Sequence, residues 1–244
     1  MNIYAISDLH LSGEPPTKPM EKFGDHWLGH KEKIKDNWLN TVQEDDYVII
    51  AGDISWAMNL QEAAVDLDWI ASLPGHKILL RGNHDYWWSS LSKLRKAYPS
   101  FTFLQNDSIV LELPSAGSNE DESAPSTRIA ICGTRGWLLP SSEKFTEEDN
   151  KIYLREGIRM ELGLQQAAKA EPNQLVLAMH YPPLFAAEET TVFTQLLEKY
   201  HVQQCVYGHI HGENHVTTFE GQRNGVTYKL VSCDTQGFQL YKLI

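Results

Sequence analysis

The sequence predicts an α/β fold in which a mixed sheet, or two stacked sheets, is flanked by helices. Three observations predict it. Apolar runs of strand length recur along the chain, segments with helical spacing lie between several of them, and turn signals separate the later runs.

The first strand is read at 3–7 (IYAIS). Ile34, Trp38, Leu39 and Val42 follow at offsets of 0, 4, 5 and 8, as one helix face requires. YVIIAG (47–52) is the second strand, LQEAAVDLDWIASL (60–73) the second helix and KILLRG (77–82) the third strand. This alternation implies parallel strands joined by right-handed crossovers. Strands are expected next at 109–113 (IVLEL) and 128–133 (RIAICG), with PSAGSNEDESAPST (114–127) between them as a flexible polar insertion. Residues 145–170 have helical spacing and lead to a strand at 175–180 (LVLAMH). A helix at 192–200 then precedes a strand at 205–209 (CVYGH). Two further runs, 228–233 and 238–244, complete the chain, and FEGQRNGVTY holds the Asn-Gly pair of a hairpin. No internal repeat is found, and one domain over 1–244 is expected.

Bulk properties narrow the function. With 244 residues and 42% hydrophobic composition, the chain can bury a substantial core. A formal charge of −11 disfavours a protein that grips long duplex nucleic acid, which needs a basic face. It does not exclude a phosphate substrate, because bound metal ions invert the local field. The N-terminus, MNIYAISDLHL, has no basic n-region, and no window approaches the roughly eighteen apolar residues of a membrane span. Cys132, Cys205 and Cys233 are odd in number and far apart, so no disulfide framework is expected. A reduced, cytoplasmic chain without a membrane partner is the expectation.

The polar residues at the strand ends point to chemistry. Asp8 and His10 follow the first strand, Asp53 the second, and Asn83, His84 and Asp85 the third. His180 ends the strand at 175–180, and His209 and His211 end the one at 205–209. In a parallel sheet such ends gather at one edge, where these folds place their sites. Carboxylate, imidazole and amide oxygen suit divalent ions such as Mn, Fe or Zn, and no thiolate is offered. Asp8 and His10 are two apart, so in strand geometry they share one face, as do His209 and His211. A lone Gly-Asp is most often a turn and a lone His most often a satisfied core residue. Five such strand ends together are not explained that way. The other histidines, His26, His30, His76, His201 and His215, follow no such pattern and are read as ordinary, with His26 and His30 as a surface pair.

The set Asp8-x-His10, Gly52-Asp53, Gly82-Asn83-His84-Asp85, His180 and Gly208-His209-x-His211 resembles the calcineurin-like metallophosphoesterase superfamily, in matching order across nearly the whole chain. The resemblance implies a four-layer α/β/β/α sandwich, two mixed sheets flanked by helices, with two divalent ions at the strand carboxyl ends. It implies Asp8, His10 and His211 on one ion, Asn83, His180 and His209 on the other, and Asp53 bridging. It implies that His84 touches the substrate phosphate or protonates the leaving oxygen, with Asp85 orienting its ring. Two ions about 3.5–4 Å apart activate a water and clamp an in-line displacement. One departure is evident: the protein-phosphatase branch carries Asp-Arg-Gly after Gly-Asp, whereas this chain has Gly52-Asp53-Ile54-Ser55-Trp56. That speaks against phosphoprotein specificity.

Arg135, Trp87, Trp88, Trp137 and Tyr181 lie near these motifs and are candidates for substrate contact, the aromatics by stacking on a flat group. Trp56 and Tyr86 lie close in sequence too. The loop at 11–30 and the segment at 145–170 are candidate lids. The expected substrate is a small-molecule or nucleotide phosphodiester. A phosphomonoesterase with the same ions is the alternative, and a non-catalytic scaffold ranks last because no ligand is missing. Oligomeric state is left open.

Overall fold

The computed structural model describes residues 1–113, 126–212 and 218–244. Residues 114–125 of the loop predicted at 114–127, and His215, lie outside the described residues.

The first sheet among the described residues contains β1 (Ile3–Ile6), β2 (Tyr47–Ile50), β3 (His76–Leu80), β4 (Phe101–Leu104) and β11 (Tyr241–Lys242), in the order β11-β1-β2-β3-β4. β1 to β4 pair in parallel and β11 is antiparallel to β1. The second sheet contains β5 (Asp107–Leu113), β6 (Thr127–Thr134), β7 (Gln174–Met179), β8 (Gln204–Tyr207), β9 (Gly221–Arg223) and β10 (Val226–Leu230), in the order β5-β6-β7-β8-β10-β9. β6-β7-β8-β10 is parallel, with antiparallel hairpins at either edge. Both sheets are mixed, as expected.

Side-chain alternation builds the layers. Ile3, Ala5, Ile49, Ile78 and Leu80 of the first sheet join Ile129, Ile131, Val176 and Val206 of the second in one buried cluster between the sheets. The alternate residues Tyr4, Ile6, Val48, Ile50 and Leu79 pack outward, in one cluster with α1 (His30–Thr41), α2 (Leu60–Ala71) and α3 (Leu91–Ala97). Cys132, Leu177, Met179 and Tyr207 pack on the opposite outer face, against α4 (Glu147–Ala168) and α5 (Val192–Lys199). Strands covered on both faces have to read as near-continuous apolar runs, which is how these were found. The result is four layers, α/β/β/α.

α1 buries Ile34 and Trp38, whereas Leu39 is exposed. Five positions from Ile34 place Leu39 about 140° round the helix, off the buried stripe. α4 begins at a capping box between Thr146 and Asp149 and buries Tyr153, Met160 and Leu164 against the second sheet. It is an outer layer of the fold and not the lid considered for 145–170. The predicted strand at 238–244 shrinks to Tyr241–Lys242, and Phe238 at its start sits at φ 62, outside strand geometry. The Asn-Gly hairpin forms between β9 and β10, with Asn224 at φ 49 and Gly225 at φ 82.

Candidate metal centre

Each strand-end motif lands at one rim, where the carboxyl ends of both sheets meet. Asp8 and His10 follow β1, Asp53 follows β2, Asn83 and His84 follow β3, His180 follows β7, and His209 and His211 follow β8. A bridge between Ser7 and Ser232 knits the extensions of β1 and β10 together just below the site.

The local backbone differs from the strand geometry expected for Asp8 and His10. β1 ends at Ile6, and Asp8, His10, Asp53 and His209 adopt φ values of 60, 46, 50 and 74. Non-glycine residues in the left-handed region cost roughly 1–3 kcal/mol each and persist only where surroundings over-determine them. Here the loops hold one another. Asp8 N–H donates to Gly52 O at 2.9 Å, His10 N–H to Asp53 O at 3.0 Å, and Gly208 N–H to His180 O at 3.0 Å. Two glycines are required by close approach: a Cβ on Gly82 would overlap Asp53, and one on Gly208 would overlap Ser7 and Asp8.

The side chains converge into two triads, Asp8-His10-His211 and Asp53-His180-His209, whose ligand atoms lie within 4.8 Å of one another in each triad. His211 Nε2 is 3.3 Å from His10 Nε2 and 3.4 Å from Asp8 Oδ1. Around one ion with bonds of about 2.0–2.2 Å, neighbouring ligand atoms stand roughly 3.0–3.5 Å apart, so this spacing fits a shared ion. In the second triad His180 Nε2 is 3.5 Å from Asp53 Oδ1 and 2.8 Å from Asn83 Oδ1. Asp53 turns one oxygen to each triad, with Oδ2 3.9 Å from His10 Nε2. That is the geometry of a bridging carboxylate. The residues present fit two divalent ions.

Outer contacts aim the ligands. His180 Nδ1 meets Ala51 O at 3.0 Å, and His211 Nδ1 meets Asp234 Oδ1 at 3.0 Å. Each contact fixes a tautomer that leaves Nε2 as the lone pair once the ring is neutral, as ligation requires. His10 has no partner for its buried Nδ1; its ring stacks on Trp56 at 4.8 Å and 18°. Asp8 Oδ2 accepts from Ser7 Oγ, from Ser232 Oγ at 2.9 Å and from His209 N–H at 3.0 Å.

Charge is shared out accordingly. Burial alone would raise the pKa of Asp8, but His211, His180 and His10 outweigh it and hold the carboxyl well below the usual range. At Asp53 burial again raises the pKa and His180 and His10 outweigh it, leaving the carboxyl at about 2. Burial disfavours charge on the histidines too. It wins at His10 and His209, pushed down to about 4 and about 3, the latter with help from His180. The carboxylates win at His180, raised to about 9 mainly by Asp53, and at His211, raised to about 10 mainly by Asp8.

Several expected contacts are corrected. Asp85 does not orient His84. It is fully buried and accepts from Ile54 N–H at 2.8 Å, Ser55 N–H at 3.1 Å, Gly82 N–H at 2.7 Å and Trp87 Nε1–H at 2.9 Å. Its carboxylate staples the loop after β3 to the loop after β2. Burial and the neighbouring Asp53 raise its pKa to about 6, against these donors. His84 is set instead by Trp56, whose ring lies 4.3 Å away. Its Nδ1 is buried without a partner. Trp87 and Trp88 are 1% and 6% exposed in the core of the first sheet, Trp88 bonding Gln105 Oε1 at 2.9 Å, so neither lines the site. Trp137 and Tyr181 do reach it, with ring centroids 5.5 Å apart and Tyr181 4.2 Å from His209. Arg135 lies over the Trp137 ring at 4.5 Å.

The loop at 11–30 forms one wall of the site. Met20 and Trp27 are buried, and Phe23 and His26 face a groove with His84 and Trp56. His26 is exposed, as expected, and also lines the groove, but it does not pair with His30 along a helix; α1 begins only at His30, whose Nε2 meets Leu9 O at 3.1 Å. That first groove measures about 380 Å³. A second, of about 510 Å³, is lined by Trp137, Lys144, Tyr181 and Phe185. His209 lines both. Asp234, the partner of His211 Nδ1, escaped the sequence reading, although it closes the run YKLVSC as the candidate ligands close theirs.

Fold and site together define a class, and the sequence comparison agrees. Residues 1–213 match the calcineurin-like phosphoesterase family, and the chain belongs to it. The family is one of metal-dependent phosphoesterases. Among curated proteins, the chain is 34% identical over 84 residues to the Gene 66 protein of Mycobacterium phage L5, covering 34% of this chain and 40% of that protein. The same-named protein of Mycobacterium phage D29 is 33% identical over 87 residues, with the same coverage. The match thus spans well under half the length of these relatives. Among solved structures, TT1561 of Thermus thermophilus superposes with TM-score 0.54 at 10% identity, over 98% of this chain and 96% of that one. The calcineurin-like phosphoesterase YfkN from Bacillus subtilis gives 0.51 at 13% identity, over 96% and 82%. At such identities the likeness is one of fold.

Proposed function

We propose that this protein hydrolyses small-molecule or nucleotide phosphodiesters at a dinuclear metal centre held by Asp8, His10, Asp53, Asn83, His180, His209 and His211. The observation that carries the diester reading is the pair of grooves meeting at His209. A diester has two substituents on phosphorus, and each groove accepts one. A phosphomonoester would occupy only one groove.

Two divalent ions there would supply an activated water and neutralise charge on the phosphoryl oxygens. The chain's own residues position the substrate. His84 lines the first groove and is held by Trp56, which supports a hydrogen bond from its ring to the leaving oxygen. Burial lowers its pKa with Asp53 opposing, which favours the neutral ring as a hydrogen-bond donor over the protonating role implied by the resemblance. Trp137 and Tyr181 offer a stacking wall to the retained group.

Truncating one wall of each groove tests this. Phe23→Ala and Trp137→Ala should each raise KM for bis-p-nitrophenyl phosphate about tenfold, the scale of one lost stacking contact. p-Nitrophenyl phosphate should respond to only one of the two. A diester KM indifferent to Trp137→Ala would remove the second groove from the reading.

A further inference from the structure

A small cavity of about 70 Å³ lies on the side of β3, β6 and α4 and shares no residue with the metal ligands. It is lined by Arg81 at the end of β3, Arg135 just after β6, Glu156 and Arg159 of α4, and Gln105 and Asn106 of the β4–β5 turn. Three guanidinium groups thus face one carboxylate.

That carboxylate is already engaged. Glu156 is 2% exposed and accepts from Arg159 Nη1 at 2.7 Å. Arg81 has a buried Nε without a hydrogen-bond partner. Among the described residues, Arg135 has no carboxylate within ion-pair distance, and its guanidinium rests on Trp137. The amides are turned consistently. Gln105 Oε1 accepts from Trp88 and Asn106 Oδ1 accepts from Thr134 Oγ1 at 3.2 Å, which leaves both NH₂ groups as the unused ends. Half-buried cations without counter-charge are costly unless a partner is bound. The clustering also stands out in a chain whose net charge is −11.

We propose that this cavity binds a tetrahedral oxyanion of the phosphate or sulfate type, held by Arg81, Arg135 and Arg159. Guanidinium forks match such oxygens in bidentate fashion. The volume is about that of two water molecules, which suits one such ion. Glu156 holds Arg159 in place and restrains the affinity. Arg135 connects the cavity to the second groove, since its guanidinium lies on one wall residue, Trp137, and its carbonyl accepts from His180 N–H and Tyr181 N–H. The ion can therefore be a free dianion or a further phosphate on a substrate lying in that groove.

Calorimetric titration with sulfate at constant ionic strength tests the site, using both metal-loaded and chelator-treated protein. Chelation removes the metal centre as a competing anion site. Saturable sulfate binding is expected in both forms. Arg81→Gln should weaken it about tenfold, as loss of a charge-assisted hydrogen bond implies, and Glu156→Gln should tighten it. A merely structural role would not move the two variants in opposite directions. Absence of saturable binding in the chelated protein, or an affinity unchanged by Arg81→Gln, would overturn the proposal. A second arm separates the sources, comparing the p-nitrophenyl ester of thymidine 5′-phosphate with the same ester carrying a 3′-phosphate. A kcat/KM loss in Arg81→Gln confined to the 3′-phosphorylated ester assigns the ion to the substrate. Equal rates on both esters, with weakened sulfate binding, assign it to a free dianion.

Discussion

Asp8, His10, Asp53 and His209 hang from left-handed backbone, and that strain is what brings carboxylates and imidazoles within 4 Å of each other. Without ions, the site balances itself with His180 and His211 as imidazolium partners of Asp53 and Asp8. Metal ligation needs neutral imidazole, so those protons must leave. With pKa values raised to about 9 and about 10, both groups are protonated at pH 7 in the metal-free protein. Metal uptake at pH 7 is therefore predicted to release about two protons, and affinity should fall as pH drops further below that range. Calorimetry in buffers of different ionisation enthalpy measures the release; a value near zero would contradict this charge assignment. Asp234 acts through His211, so Asp234→Ala should lower metal affinity about 10–100-fold in a metal titration, with the fold retained. These candidate ligands were legible in the sequence because their chemistry is carried by residue type at strand ends. Their backbone conformation was not, because it depends on hydrogen bonds between loops distant in sequence.

Elements explain what residue types alone could not. Asp85 sits beside His84 in sequence, which invited the reading of a paired acid and its support. In the fold it turns away and ties the loops after β2 and β3 together. Asp85→Ala would strand three buried backbone N–H groups, each costing about 1–3 kcal/mol when unsatisfied. Urea unfolding should show a loss of several kcal/mol, whereas His84→Ala should stay within about 1 kcal/mol of the wild type. Equal stability in the two variants would mean that Asp85 is not a staple. The strand pattern itself was well marked because both faces of each central strand are covered. β4 was missed: FTFL is short, and no ligand follows it. Trp87 and Trp88 could not be placed from sequence, because an aromatic beside a motif packs inward or outward according to the turn that precedes it. Here Asp85 captures the Trp87 indole and draws the pair into the core.

At the scale of the whole molecule, two sheets of different chain segments supply the two halves of one site. β1, β2 and β3 bring Asp8, His10, Asp53, Asn83 and His84, while β7 and β8 bring His180, His209 and His211. The sheet packing shown by the inter-sheet cluster thus brings the two halves of each triad together. The outer elements build the grooves: the loop at 11–30 walls one, and the stretch from Trp137 to Lys144 walls the other. On the function proposed above, the arrangement joins a metal centre to two substituent sites. Initial rates on bis-p-nitrophenyl phosphate and p-nitrophenyl phosphate, with Mn-loaded and chelated protein, test it most directly. The account predicts metal-dependent turnover of both with clear preference for the diester, abolished by chelation. Faster turnover of the monoester, or diester hydrolysis that survives chelation, would contradict it.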